Sequence, residues 1–182
     1  MPPIPYLPAD IQEPHDIVAA IRARRGGELL LLDRMLLHSP PLASGWNALL
    51  DAVRARLTLS PRLRELAICA IGWLNGAHYE IEQHAGPFRQ AGGTDEQLVA
   101  LRNCDQAIAN TALFDATERA VLQVVKAMTR EVQVPDQVLA DARTALGSDQ
   151  QVVELVGVIA TYNMVSRFLV ALGIEPAFAS RT

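Results

Sequence analysis

The chain has 182 residues, half of them hydrophobic and 20% charged, with 16 Lys and Arg against 20 Asp and Glu for a net charge of −4. This composition excludes a disordered chain and leaves room for one domain with a sizeable core. It offers no basic tract interleaved with aromatics, so nucleic acid is not an expected partner. The proline-rich opening, Pro2 to Pro14, reads as an extended arm, giving an expected arm over 1–15 and a single helical domain over 16–182. A short helix is predicted from Pro14 to Arg25, ended by Gly26-Gly27, and a second from Glu28 to Leu37, stopped by His38-Ser39-Pro40-Pro41. A third runs from Leu42 to Leu57. Ser60-Pro61 pairs a cap with a proline at the first helical position, and the helix it opens ends at Asn75-Gly76. The next spans Ala77 to Gln90, where Gly86-Pro87 should kink it or end it early. Thr94 with Gln97 forms a capping box for Asp95 to Arg102, and Asp115 with Glu118 starts a helix to Glu131. Pro135 opens a helix to Leu146, and Ser148 with Gln151 caps the last, which runs to Leu172 before Gly173 and Pro176. Val, Ile and Leu recur at three- and four-residue spacing and do not alternate, so the fold class is all-α, a compact helical array.

The N-terminus lacks a positive region followed by an apolar run. The apolar stretches Leu66 to Leu74 and Val152 to Ala160 are too short to span a bilayer. Cys69 and Cys104 are far apart and form no CxxC, as ordinary buried thiols of a reducing compartment would be. These features give a cytoplasmic protein without a membrane partner as the expectation.

The chemistry concentrates between Arg62 and Ala91. Glu65 stands among Leu63, Leu66, Ala67, Ile68 and Cys69. Facing inward it would be a general acid or base with a raised pKa; facing outward it would pair weakly with Arg62 and Arg64. Glu80 and His84 share one helical face, four residues apart, and His78 with Glu82 share roughly the opposite one. Glu80 also follows the break at Asn75-Gly76, in the first turns of a helix, where a substrate carboxylate would be favoured. The alternative is a stabilising pair on an exposed face. ExxxH with Glu65 offers metal-ligand types, but paired carboxylate-x-x-His motifs on separate helices are missing, so no metal is expected. His38 is a helix cap or a pocket residue. Arg167, in an apolar run beside Tyr162 and Asn163, calls for an anionic partner, either structural (Glu65 or another subunit's carboxylate) or a substrate carboxylate. There is no phosphate loop and no GxSxG elbow.

In SPRLRELAICAIGWLNGAHYEIEQHAGPFRQAGGTDEQ, residues 60–97, the chain resembles the carboxymuconolactone decarboxylase and alkylhydroperoxidase AhpD superfamily. HSPPLASGWNALL and ELVGVIATYNMVSRFLVALGIEP are similar to the segments that flank that core. The peroxidase branch carries a Glu, then CxxC, then a His four residues beyond the second Cys. Glu65 and His84 match the Glu and His, Ala77 and Glu80 stand in place of the dithiol, and Tyr79 stands where a second His is common. Without the dithiol a thiolate attack on peroxide has no nucleophile at this place. The resemblance therefore implies the non-redox branch: decarboxylation or isomerisation of a small unsaturated or lactone carboxylic acid, without a cofactor. It implies Glu65, Glu80 and His84 as catalytic residues, with His84 as proton donor or acceptor, Glu80 as its orienter or a second acid–base group, and Glu65 as a buried supporting carboxylate. Trp73, Tyr79, His38 and Arg167 are the candidate substrate-binding residues, plain core packing being the alternative for the two aromatics. It also implies a homo-oligomer (dimer, trimer or hexamer). The competing functions are an AhpD-like antioxidant peroxidase and a non-catalytic helical binding protein.

Overall fold

The computed structural model describes residues 2–176, so Met1 of the expected arm and residues 177–182 of the expected domain lie outside the described residues. Among the described residues there are ten α-helices and no strand, as the three- and four-residue spacing requires. They divide into two compact units, one taking the chain up to Leu57 with Ala171–Ile174, the other taking Thr58–Val170.

In the first unit, α1 (His15–Arg25) and α2 (Leu31–Leu36) pack on α3 (Pro40–Ala55) around Val18, Ile21, Leu32, Leu36, Trp46 and Leu50. The second helix begins three residues later than predicted because the Asp33 carboxylate accepts from the Leu30 N–H and fixes the first turn there. The third begins two residues earlier, since Pro40 and Pro41 fit the first helical positions. The proline arm belongs to this unit. The Leu7 carbonyl accepts from Arg34 at 2.5 Å and the Arg34 guanidinium covers the Tyr6 ring.

The second unit holds α4 (Pro61–Asn75), α5 (His78–Gln90), α6 (Asp95–Ala100), α7 (Cys104–Ala109), α8 (Ala116–Arg130), α9 (Asp136–Leu146) and α10 (Asp149–Ala171). Ser60 caps α4, Thr94 caps α6 and Asp115 caps α8 as predicted. Gly76 ends α4 at φ +65°, a conformation that favours glycine. Packed on α5 and α8, α4 has seven consecutive residues, Leu66 to Gly72, buried. A Cβ on Gly72 would lie 2.9 Å from Ile81 Cγ1, so the missing side chain sets how closely α5 approaches α4.

Pro87 does not end α5, which continues to Gln90. The preceding Gly86 has no Cβ to meet the proline ring. The six-residue α7 was not predicted, being too short for a periodic signal. α10 lies where it was predicted, ending one residue early. Its 23 residues are long and apolar enough, by length and composition, to cross a membrane, although the shorter stretches within it are not. Within this unit its face of Leu155, Val158, Ile159, Tyr162, Val165 and Leu169 is core.

Candidate functional site

Two helices and the break between them place the acid–base residues. Glu65 lies near the start of α4, and Gly76 reverses the chain so that α5 returns along α4 with Glu80 and His84 on its inner face. Glu65, Glu80 and His84 are 1, 3 and 2% exposed, whereas His78 and Glu82 face solvent. The helix thus buries one of its two Glu–His faces, and it is the one bearing Glu80.

His84 stands between two carboxylates. Its Nδ1 donates to Glu65 Oε2 at 2.6 Å, and its Nε2 lies 3.3 Å from Glu80 Oε2. Glu65 Oε1 accepts from Arg64 Nε at 3.2 Å. The Tyr162 ring on α10 meets the imidazole edge to face, 5.1 Å between centroids. Burial alone would lower the His84 pKa, but the hydrogen-bonding carboxylates of Glu65 and Glu80 outweigh it and hold the ring above its ordinary 6.5. The two carboxylates are not equivalent. Glu65 is engaged through both oxygens, whereas the buried Glu80 Oε2 has only the long 3.3 Å contact with Nε2. That oxygen marks where a proton or a polar ligand group would be accommodated.

The ring between the two acids keeps them from closing on one point, and among the described residues no group of three His, Cys, Asp or Glu is placed to hold a metal ion. The thiols are equally unsuited to nucleophilic work. Burial, and then the charges of Glu65 and Glu80, push Cys69 up to about 12; burial and Asp105 push Cys104 up to about 11.

The other candidates lie elsewhere. Tyr79 is buried on α5. Trp73, two turns beyond Glu65 on α4, lines a separate cleft whose lining does not include the three acid–base residues. His38, in the first unit, places Nε2 2.8 Å from the Pro5 carbonyl. Arg167 does not meet Glu65. It donates to the Asn163 carbonyl at 3.1 Å and to Asn163 Oδ1 at 2.7 Å, neutral acceptors one turn back on the same helix. Sequence reasoning paired Arg64 with Glu65 only for an outward-facing carboxylate, and it passed over Tyr162 as a neighbour of the cluster. A sequence-adjacent Arg is a weak signal, and nothing in spacing ties Tyr162 to a histidine 78 positions earlier.

Comparison with known proteins agrees with this architecture. Residues 40–127 match the model of the carboxymuconolactone decarboxylase family. No curated protein matched the chain. Two solved structures share the fold. An uncharacterized peroxidase-related protein from Silicibacter superposes with a TM-score of 0.78 at 18% identity, over 96% of this chain and 93% of its own. A protein of unknown function from Agrobacterium tumefaciens, described as a putative antioxidant defence protein AhpD, gives 0.69 at 21% identity, over 78% of this chain and 94% of its own.

Proposed function

We propose that this chain, carboxymuconolactone decarboxylase-like through residues 40–127, performs acid–base chemistry without a cofactor on a small unsaturated or lactone carboxylic acid, by decarboxylation or isomerisation. The observation that carries the reading is the buried His84 held between Glu65 and Glu80. In the decarboxylation, the carbon–carbon bond to the carboxylate breaks, CO₂ leaves, and the electron pair passes into a conjugated carbonyl as a dienolate. The His84 imidazolium gives its Nε2 proton to that carbon, and a solvent proton restores the ring. Glu65 fixes the ring through Nδ1, so that Nε2 is the reactive nitrogen. The tighter bond favours Glu65 as the orienter and Glu80, 3.3 Å from Nε2, as the second acid–base group beside the reacting proton. The incoming carboxylate takes the place of the Glu80 carboxylate at Nε2.

The test is CO₂ release and loss of conjugated absorbance on a panel of lactone and dienoic acids. Wild type should turn over at least one of them, and His84→Gln should lose about 10²- to 10⁴-fold in kcat. Full turnover by His84→Gln would remove the assignment.

Likeness to a peroxidase-related protein and to a putative antioxidant defence protein favours a second reading, peroxide reduction. It lacks a thiolate, since Cys69 and Cys104 are buried and held protonated far above neutral pH. Peroxide consumption coupled to loss of titratable thiols would revive it. The expected homo-oligomer is supported by the apolar side chains that α10 leaves exposed, Val153, Met164 and Val170. Sedimentation of a monomer at micromolar concentration would oppose it.

A further inference from the structure

The second unit holds a cleft of about 880 Å³ between α4, α7, α8 and α9, within the range of small-molecule pockets. Its chemistry differs from that of the acid–base cluster. Trp73 forms one wall, with its Nε1 buried and lacking a hydrogen-bond partner. Ile108 and Val138 add apolar surface. Three cations, Arg102, Lys126 and Arg130, face two carboxylates, Asp105 and Glu131, in a chain whose overall charge is −4. Asp105 is taken by Lys126. Arg102 stacks over the Trp73 ring at 5.2 Å, and neither it nor Arg130 makes an ion pair among the described residues. Arg130 stands one helical turn from Lys126 on α8, and its positive charge is felt by both Lys126 and Cys104. Two uncommitted guanidiniums beside an indole provide planar donors for an acid group and an aromatic surface for a flat body.

We propose that this cleft is a binding site for a small organic anion with an aromatic or conjugated body, its acid group held by Arg102 and Arg130 and its flat body against Trp73. The site is distinct from Glu65, Glu80 and His84, none of which lines it, and it does not depend on turnover there. A neutral apolar ligand would leave the guanidiniums unanswered, and a cation would be repelled by them.

The probe is naphthalene-2-carboxylate, titrated calorimetrically into the full-length protein. Wild type should bind it at one site per chain, and naphthalene-2-carboxamide, equal in shape but uncharged, should bind about tenfold more weakly. The double variant Arg102→Gln, Arg130→Gln should also lose about tenfold, with its fold verified by circular dichroism. Glu80→Gln should bind within twofold of wild type. No heat at millimolar carboxylate, equal binding of the amide, or affinity unchanged in the double variant overturns the proposal. Loss of binding in Glu80→Gln with retention in the double variant also overturns it, by placing the ligand at the acid–base cluster. Failure of the decarboxylation reading, seen as full turnover by His84→Gln, leaves these binding outcomes untouched.

Discussion

Two buried carboxylate clusters make an informative pair. In the first unit Asp33, 2% exposed, is gripped by Arg25 through both oxygens at 3.0 Å, with the Leu30 N–H adding a third bond at 2.9 Å. In the second, Glu65 and Glu80 flank a histidine, one tightly at 2.6 Å and one only through a long 3.3 Å contact. Both clusters meet the requirement that a buried charge be paired. They differ in what the pairing permits. A guanidinium keeps its proton at any physiological pH, so the Asp33 cluster is complete and has nothing to exchange. An imidazole titrates, and Glu80 is under-satisfied, so the second cluster holds a movable proton next to an open acceptor. Burial alone is therefore a poor sign of chemistry; what separates the two is the identity of the cation and the state of the last oxygen.

The largest expected effect tests that division directly. His84→Gln should abolish most turnover, by about two to four orders of magnitude in kcat per folded molecule, and, because it strands two buried carboxylates, should also lower the urea midpoint. Asp33→Asn should lower the midpoint alone. Breaking a buried, saturated pair strands Arg25 and costs about 3–5 kcal/mol, seen as a lower urea midpoint, with kcat per folded molecule unchanged. If Asp33→Asn lost activity while remaining fully folded, the two clusters would not divide as argued.

A smaller effect should come from Gly72→Ala. The added methyl meets Ile81 at 2.9 Å and pushes α5 from α4, at about 1–3 kcal/mol. Because Glu65 rides on one of these helices and His84 on the other, the 2.6 Å bond should lengthen and kcat should fall with stability. A variant with unaltered kcat would show that the cluster tolerates movement between the helices.

The contrast also explains what the sequence made legible. Helix ends governed by local chemistry, such as Ser60-Pro61, Thr94 with Gln97, Asp115 with Glu118, and Asn75-Gly76, were found where predicted, because a cap acts within one turn. Glu80 and His84 were legible for the same reason: four residues is a local distance. Which face of α5 turns inward is decided by packing on α4, so the choice between Glu80–His84 and His78–Glu82 waited on the structure. Glu65 was legible as a carboxylate within an apolar helical run, but its inward orientation and its bond to a histidine 19 residues away depend on packing. Tyr162 and the loss of Glu65 as a partner for Arg167 depend on where α10 lies, which no spacing within 60–97 encodes. The cleft was missed altogether, its cations being scattered over Arg102, Lys126 and Arg130 and brought together only by the fold.

The smallest effect is the pH response of the cluster, and it carries a sign that sharpens the comparison. The folded pKa of His84 lies above its ordinary value, so the charged ring is favoured by the fold. Its stabilising contribution is fully present below about pH 6.5, the unfolded value, and is lost as pH rises through the folded pKa. Wild type should therefore lose stability on the alkaline side of neutrality, measured as urea midpoints from pH 6 to 10. His84→Gln should flatten that slope, whereas Asp33→Asn should lower the whole curve and keep it. Glu80→Gln removes one of the two carboxylates that raise the ring, so the His84 resonance followed by NMR should titrate at lower pH than in wild type. A resonance that titrates unchanged in Glu80→Gln would mean that Glu65 alone holds the proton, and Glu80 would then have no electrostatic part in the site.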